Sequence, residues 1–298
     1  PACPQFTALT DDALIAIIAN SASQVHRLAA QRMLLRKPYS QATQDTLLRS
    51  SQNQALKLEN RIAALYGFSQ RGVDSQFSEQ VIGSLTSLAE NPELRPFVIR
   101  ALGDMAIDTR TAGQSSPVPS ALLKLGLGTD NPREILEAIV AATRQDKTDL
   151  ADDIAAHLAS DDAVIVHTAF QALARLNAYP AALAQLDSDD GHKGASFTLM
   201  RMHDPKLVQE LLARLGTEQD LRTQQIIVAI LARLYHREAE WQGDNWSTRP
   251  DTRGPYYQLA TWESSAPILD RLNQLLEAPD TPKALRTAIV RELGRNRI

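Results

Sequence analysis

The residues whose types and spacing suit chemistry lie between Trp241 and Trp262. All three tryptophans of the chain fall in this stretch, together with Tyr256 and Tyr257. Arg249, Asp251 and Arg253 stand among them. Tyr and Trp bury large areas while keeping an O–H or N–H for hydrogen bonding, and guanidinium groups stack on such rings. Trp246, Arg249, Asp251, Arg253, Tyr256 and Tyr257 are therefore the candidate binding residues. The chemistry they suggest is recognition, of a neighbouring domain or of a saccharide-like ligand. No nucleophile and base accompany them, so no catalytic residue is assigned. Pro250, Gly254 and Pro255 bar a continuous helix, which makes 243–259 an expected ordered loop. The plainer alternative is a loop that covers exposed core at the end of a helical array. In that reading Trp246 is a buried plug, and Arg249 and Arg253 form a polar rim.

Other motifs are weaker. The six histidines include no His-x-x-x-His or His-Glu pairing, so no metal site is expected. Asp187-Ser-Asp189-Asp190-Gly191 has the look of a calcium loop. Its glycine is at the fifth position, however, and Thr198 stands at the twelfth, where a bidentate Glu belongs. It reads as a polar turn. Leu125-Gly-Leu-Gly128 lacks the third glycine and the lysine of a phosphate loop. Cys3 is the only cysteine, which excludes an internal disulfide, a Cys-based zinc site and a Cys-x-x-Cys-His haem attachment. No cofactor is expected.

Composition narrows the class. Hydrophobic residues make up 44% and charged residues 22%, a balance too apolar for disorder. Aromatic content of 5%, with Ala and Leu dominant, suits helices packed through small and medium side chains. No apolar run approaches the ~20 residues of a membrane-spanning helix. A net charge of −4 argues against a nucleic-acid protein, which carries a basic footprint. The charge is uneven: Arg27, Arg32, Arg36 and Lys37 form a basic block, and 145–190 is rich in Asp. These blocks read as solvated faces or docking surfaces. The chain opens on Pro1 with no basic-then-apolar leader, as expected of a mature chain or a piece of a longer one.

The elements that must position the aromatic stretch are amphipathic helix pairs. Thr10-Asp11-Asp12 starts a first helix with Leu14, Ile15, Ile17 and Ile18 on one face. Ser23 starts a second, carrying Val25, Leu28, Met33 and Leu34. The unit recurs: 43–50 with 55–70, 77–90 with 91 onward, 120–127 with 131 onward, 148–159 with 161–176. It continues with 180–186 and 191–202, 204 onward and 221–237, and 265–277 with 281–296. Asn91-Pro92, Asn131-Pro132, Asp204-Pro205 and Thr281-Pro282 read as helix starts, the side chain capping and Pro at the first position. Residues 108–119, rich in Ser, Gly and Pro, are the expected flexible joint. Leu65, Leu102, Ala142, Leu173, Leu199 and Leu231 are separated by 37, 40, 31, 26 and 32 positions. That spacing fits helical-pair repeats of roughly 30–45 residues. Leu231 to Leu293 spans 62, so one unit carries an insertion, at 241–262.

Arg61-Ile-Ala-Ala-Leu65-Tyr-Gly67, Arg100-Ala-Leu102-Gly103-Asp104 and Arg291-Glu-Leu293-Gly294 resemble the second helices of HEAT repeats. The resemblance implies an all-α, right-handed α-solenoid of about eight HEAT-like, armadillo-type helix pairs over 1–298, with one aromatic-rich insertion. The segment Arg233-Leu-Tyr235 through Trp241, Asn245-Trp246 and Tyr256-Tyr257 to Thr261-Trp262-Glu263 is similar to a more particular sequence. It resembles part of the HEAT region of large exported planctomycete and verrucomicrobial proteins of the membrane-bound-dehydrogenase-like, haem-binding kind. These join a β-propeller, a HEAT region and a c-type cytochrome domain. The resemblance implies a non-catalytic interaction or scaffold domain of an exported protein, with other domains of its polypeptide or separate proteins as partners. Their haem motif is absent here, so neither haem binding nor dehydrogenase chemistry carries over. The alternative function is a HEAT-like enzyme or ligand-binding domain with a cleft on its concave face, for a saccharide or of the DNA-glycosylase type.

Overall fold

In the computed structural model the described residues are 5–38, 40–71, 78–111, 118–243 and 256–298, with backbone alone at 71, 78 and 106–111. Among the described residues 71% are in helix and almost none in strands, an architecture compatible with a solenoid. It divides into two compact units, Pro1–Asp153 and Ile154–Ile298. Half of the expected joint at 108–119, residues 112–117, lies outside those described, and its first four residues continue a helix instead.

The first unit holds α1 (Asp11–Asn20), α2 (Gln24–Leu35), α3 (Gln41–Gln52), α4 (Leu58–Arg71), α5 (Ser78–Leu88), α6 (Arg95–Thr111), α7 (Ser120–Leu127) and α8 (Pro132–Arg144). Each helix packs on its successor within a pair, and α2, α4, α6 and α8 pack in series. Leu14, Ile18, Leu34, Leu47, Leu65, Leu102, Leu123 and Ile139 are fully buried along this stack. Val25 and Leu28 are not core: they are 72% and 42% exposed. The buried face of α2 is instead Arg27, Ala30, Gln31 and Leu34. Arg27 can turn inward because its Nη1 donates to the Ser21 carbonyl at 2.8 Å, which supplies a partner for a buried charge.

That contact recurs. Arg61 Nε donates to Ser51 O at 3.1 Å, Arg95 Nε to Ala89 O at 2.8 Å, and Arg286 Nη2 to Ala278 O at 2.5 Å. In each of these four pairs a guanidinium on the second helix meets a carbonyl near the end of the first. Glu93 and Glu134 complete two of these contacts, 3.0 Å from Arg61 and 3.3 Å from Arg95. The basic block at 27–37 is thus partly internal. Lys37 likewise sits 3.1 Å from Asp11.

A short α9 (Ala151–Ala155) between two 3-10 turns, Thr148–Leu150 and Ala156–Ala159, stands where one helix over 148–159 was expected. The second unit continues with α10 (Ala163–Arg175), α11 (Tyr179–Ala184), α12 (His192–Leu199), α13 (Pro205–Thr217), α14 (Leu221–Leu234), α15 (Ser265–Glu277) and α16 (Lys283–Asn296). Here α10, α12, α14 and α16 pack in series. A Cβ at Gly194 would lie 2.9 Å from Leu158 O, so α12 meets the second 3-10 turn closely. Val164, in the first turn of α10, is 60% exposed.

Two of the four Pro-starts behave as read. Asn131 and Asp204 accept from Arg133 N at 3.1 Å and Lys206 N at 2.8 Å. Asn91 opens a turn, and α6 begins only at Arg95. At Thr281 the side chain is buried, Pro282 occupies the capping position, and no side chain caps α16.

The last departure from the sequence reading is at the end of α14. The helix stops at Leu234 rather than near Arg237. Residues Arg237–Glu238 (β1) then pair antiparallel with Leu259–Ala260 (β2), in the register Arg237↔Ala260 and Glu238↔Leu259. This two-stranded ribbon is the base of the aromatic segment.

Candidate functional site

An α-helix leaves its last carbonyls without intrahelical partners. After α14 three consecutive ones are met by side chains distant in sequence. Trp262 Nε1 donates to Leu234 O at 2.7 Å, Ser265 Oγ to Tyr235 O at 2.6 Å, and His203 Nε2 to His236 O at 2.8 Å. Ser265 Oγ also accepts from Trp262 N at 2.9 Å, which ties the start of α15 to the same point. With these carbonyls satisfied the chain leaves the helix and enters β1.

The returning strand is fastened by one carboxylate. Glu238 accepts from Tyr257 N at 2.7 Å and from Gln258 N at 2.9 Å, while Ala239 N donates to Gln258 O at 2.9 Å. Above this ladder the rings pack edge to face. His203 lies 5.4 Å from Trp262 and 6.0 Å from Tyr256, at interplanar angles of 69° and 64°. The Arg233 guanidinium sits 4.3 Å from the centre of the Tyr256 ring, a cation–π contact. Tyr256 Oη is 3.2 Å from His203 Nε2. Burial holds the His203 pKa below the ordinary histidine value and raises that of Tyr256. Burial also lowers His236. Burial thus favours the neutral ring at His203, whose Nε2–H donates to the His236 carbonyl.

Two of the six candidate residues lie in this region. Tyr256 is half-buried in the ring cluster, and Tyr257 is 55% exposed. Trp246, Arg249, Asp251 and Arg253 lie outside the described residues, as does the question of whether Trp246 is a plug. Near Tyr257 in the ribbon, Leu259 is 40% exposed, and Trp241, just beyond β1, is also 40% exposed.

Sequence reasoning missed His203 and gave Trp262 no role of its own. Neither has a local signature, because each acts on a carbonyl about thirty residues away. It also missed a cavity of about 520 Å³ beside Tyr256. Arg201, Arg233, Arg295 and Arg297 are among the described residues that line it, with His236. Met200 and Leu259 give it an apolar flank.

Elsewhere, Asp187 and Asp189 of the Asp-rich turn pair with Arg214 and Arg222. Among the described residues no three His, Cys, Asp or Glu side chains gather as metal ligands, and no helix is long and apolar enough to cross a membrane.

No family model matches the chain, and no curated protein matches it. Among solved structures 22 chains are similar. One is the X-ray structure of YibA from Escherichia coli, 13% identical with a TM-score of 0.51, over 98% of this chain and 94% of that one. At that identity the likeness speaks to fold alone.

Proposed function

We propose that this chain is a HEAT-like, right-handed helix-pair solenoid of about eight units. In this reading it serves as a non-catalytic interaction or scaffold domain of a larger exported protein. The observation that carries the reading is the aromatic ribbon. Its base is locked to the end of α14 by Trp262, Ser265 and His203, while Trp241, Tyr257 and Leu259 remain exposed. A rigid base with apolar and aromatic side chains facing outward suits a partner surface. The serial packing of second helices within each unit supports the repeat reading.

The test compares hydrogen exchange in this chain alone and in the longer polypeptide that the resemblance implies. Amides in 239–242 and 257–260 should exchange more slowly in the longer protein. The same rates in both would remove the support for a partner on this face.

A further inference from the structure

The outer face of α16 repeats the face of α6 that a further helix pair covers. We infer that it is a docking surface for a partner helix that carries two carboxylates one turn apart and a small residue one turn further on. The inference rests on the interaction-domain reading for the existence of a partner, and it uses no residue of the ribbon.

Arg95, Ile99, Arg100, Leu102 and Gly103 of α6 recur in α16, at identical spacing, as Arg286, Val290, Arg291, Leu293 and Gly294. In α6 this face meets α7 and α8. Arg95 Nη1 lies 3.3 Å from Glu134, and Arg100 Nη1 lies 3.5 Å from Glu137. Ile99 is fully buried, its Cδ1 2.9 Å from where a Cβ on Gly126 would stand. Ala141 of α8 sits directly on Gly103. On α16 the same positions lack that cover. Val290 is 60% exposed. Arg286 makes the carbonyl contact of its series, to Ala278 O, yet among the described residues no carboxylate pairs with it. Arg291 is exposed and meets only the neighbouring Glu292 of its own helix among the described residues. Gly294 has nothing within 4 Å of an added Cβ among the described residues. Arg286 and Val290 stand in the first two turns of α16, whereas Tyr256 and Leu259 of the aromatic segment share a cavity wall with Arg295–Arg297 at its other end.

A simpler account would have α16 face only water. A helix that closes an array carries a polar outer face. Here the outer face keeps a branched apolar residue and a glycine where the covered helix α6 has them. Glycine inside a helix costs about 1 kcal/mol relative to alanine, a cost that close approach of another helix explains and solvent does not. Charge then selects the partner. Arg286 and Arg291 call for acids, as Glu134 and Glu137 of α8 supply them to Arg95 and Arg100. A second copy stacked end to end would offer α2, whose surroundings at 24–37 hold Arg32 and Arg36 and no acid. The occupant is therefore a different helix, with the acid and alanine spacing of Glu134, Glu137 and Ala141.

The experiment titrates the isotope-labelled whole chain with a synthetic peptide of residues 119–146, which carries α7 and α8, and follows amide shifts by NMR. Binding should saturate with a Kd below about 1 mM, with the shift changes gathered on α16 around Thr287, Val290 and Gly294. Val290→Glu, at an exposed position, should weaken binding by about tenfold or more, because it would bury an unpaired charge. Arg291→Glu should also weaken it, and a peptide carrying Glu137→Lys should restore affinity for that variant to within about threefold of the original. The shift map comes from the wild-type chain and stands even where a variant folds poorly. No saturation, shift changes confined to other helices, or unchanged affinity in a folded Val290→Glu variant would overturn the proposal. So would a dimer of the chain alone that Val290→Glu abolishes, since the occupant would then be a second copy. The hydrogen-exchange comparison at 239–242 and 257–260 reads the ribbon alone, so the two readings fail separately.

Discussion

The contact between α6 and α8 and the junction at the end of α14 solve opposite problems. At the first, two helices meet almost backbone to backbone. A Cβ on Gly103 would lie 2.8 Å from Ala141 Cβ and 3.2 Å from Ala141 Cα. Here stability comes from shape, and what matters is the absence of a side chain. At the second, three carbonyls that the helix cannot satisfy are met by an indole, a hydroxyl and an imidazole. There stability comes from directed hydrogen bonds, and what matters is the presence of particular polar atoms. The stack repeats its solution, whereas the junction uses its own only once.

Changing glycines gives the largest contrast. Gly103→Ala should destabilise the first unit by about 1–3 kcal/mol, because the new methyl meets a neighbouring helix that cannot yield freely. Gly294, in the similar Leu-Gly pattern of α16, has nothing within 4 Å of an added Cβ. Gly294→Ala should therefore stabilise, by up to about 1 kcal/mol from helix propensity. Urea melts of both variants check the pair. Equal signs would mean that the Leu-Gly pattern, not the close approach, sets the outcome.

The next contrast is at the junction. Trp262→Phe keeps most of the ring but leaves Leu234 O without its donor. The expected loss is about 1–2 kcal/mol, seen in denaturant melts. A loss near zero would show that ring burial alone fastens the segment.

The difference between the two regions also explains what could be read in advance. The stack follows from apolar spacing and capping residues, so α1, α8, α10 and α13 begin close to where their Thr, Asn and Asp caps place them. The inward arginines hide in that pattern: Arg27 and Arg61 are charged residues at buried positions, visible only once the carbonyl each one meets is known. The junction was half legible. Trp, Tyr, Pro and Gly marked a break in the helical pattern, of which 244–255 lie outside the described residues, yet nothing near His203 or Ser265 announces a bond to the end of α14. Arg201, Arg295 and Arg297 reach one cavity from separate elements, a proximity that only the tertiary fold creates.

The smallest effect is on pH. Burial lowers the pKa of His203 and His236 below the ordinary 6.5. The unfolded chain then takes up protons more readily than the folded one. The stability this contributes is complete above pH 6.5, the unfolded value, and is lost as pH falls toward the lower folded values. The melting temperature of the second unit should decline across that window, and His203→Gln should flatten the decline. A melting temperature that rises on acidification from neutrality would reverse the assignment of His203 as a buried neutral ring.

The central claim, that the aromatic ribbon is fastened to the open end of α14, is tested most directly by native-state hydrogen exchange on the chain itself. The amides of Ala239, Tyr257, Gln258 and Trp262 each donate a hydrogen bond within the junction. They should be protected as one group, and in Trp262→Phe they should lose protection together while the amides of α8 keep theirs. Unprotected junction amides in the wild-type chain, or protection that survives Trp262→Phe unchanged, would contradict the account.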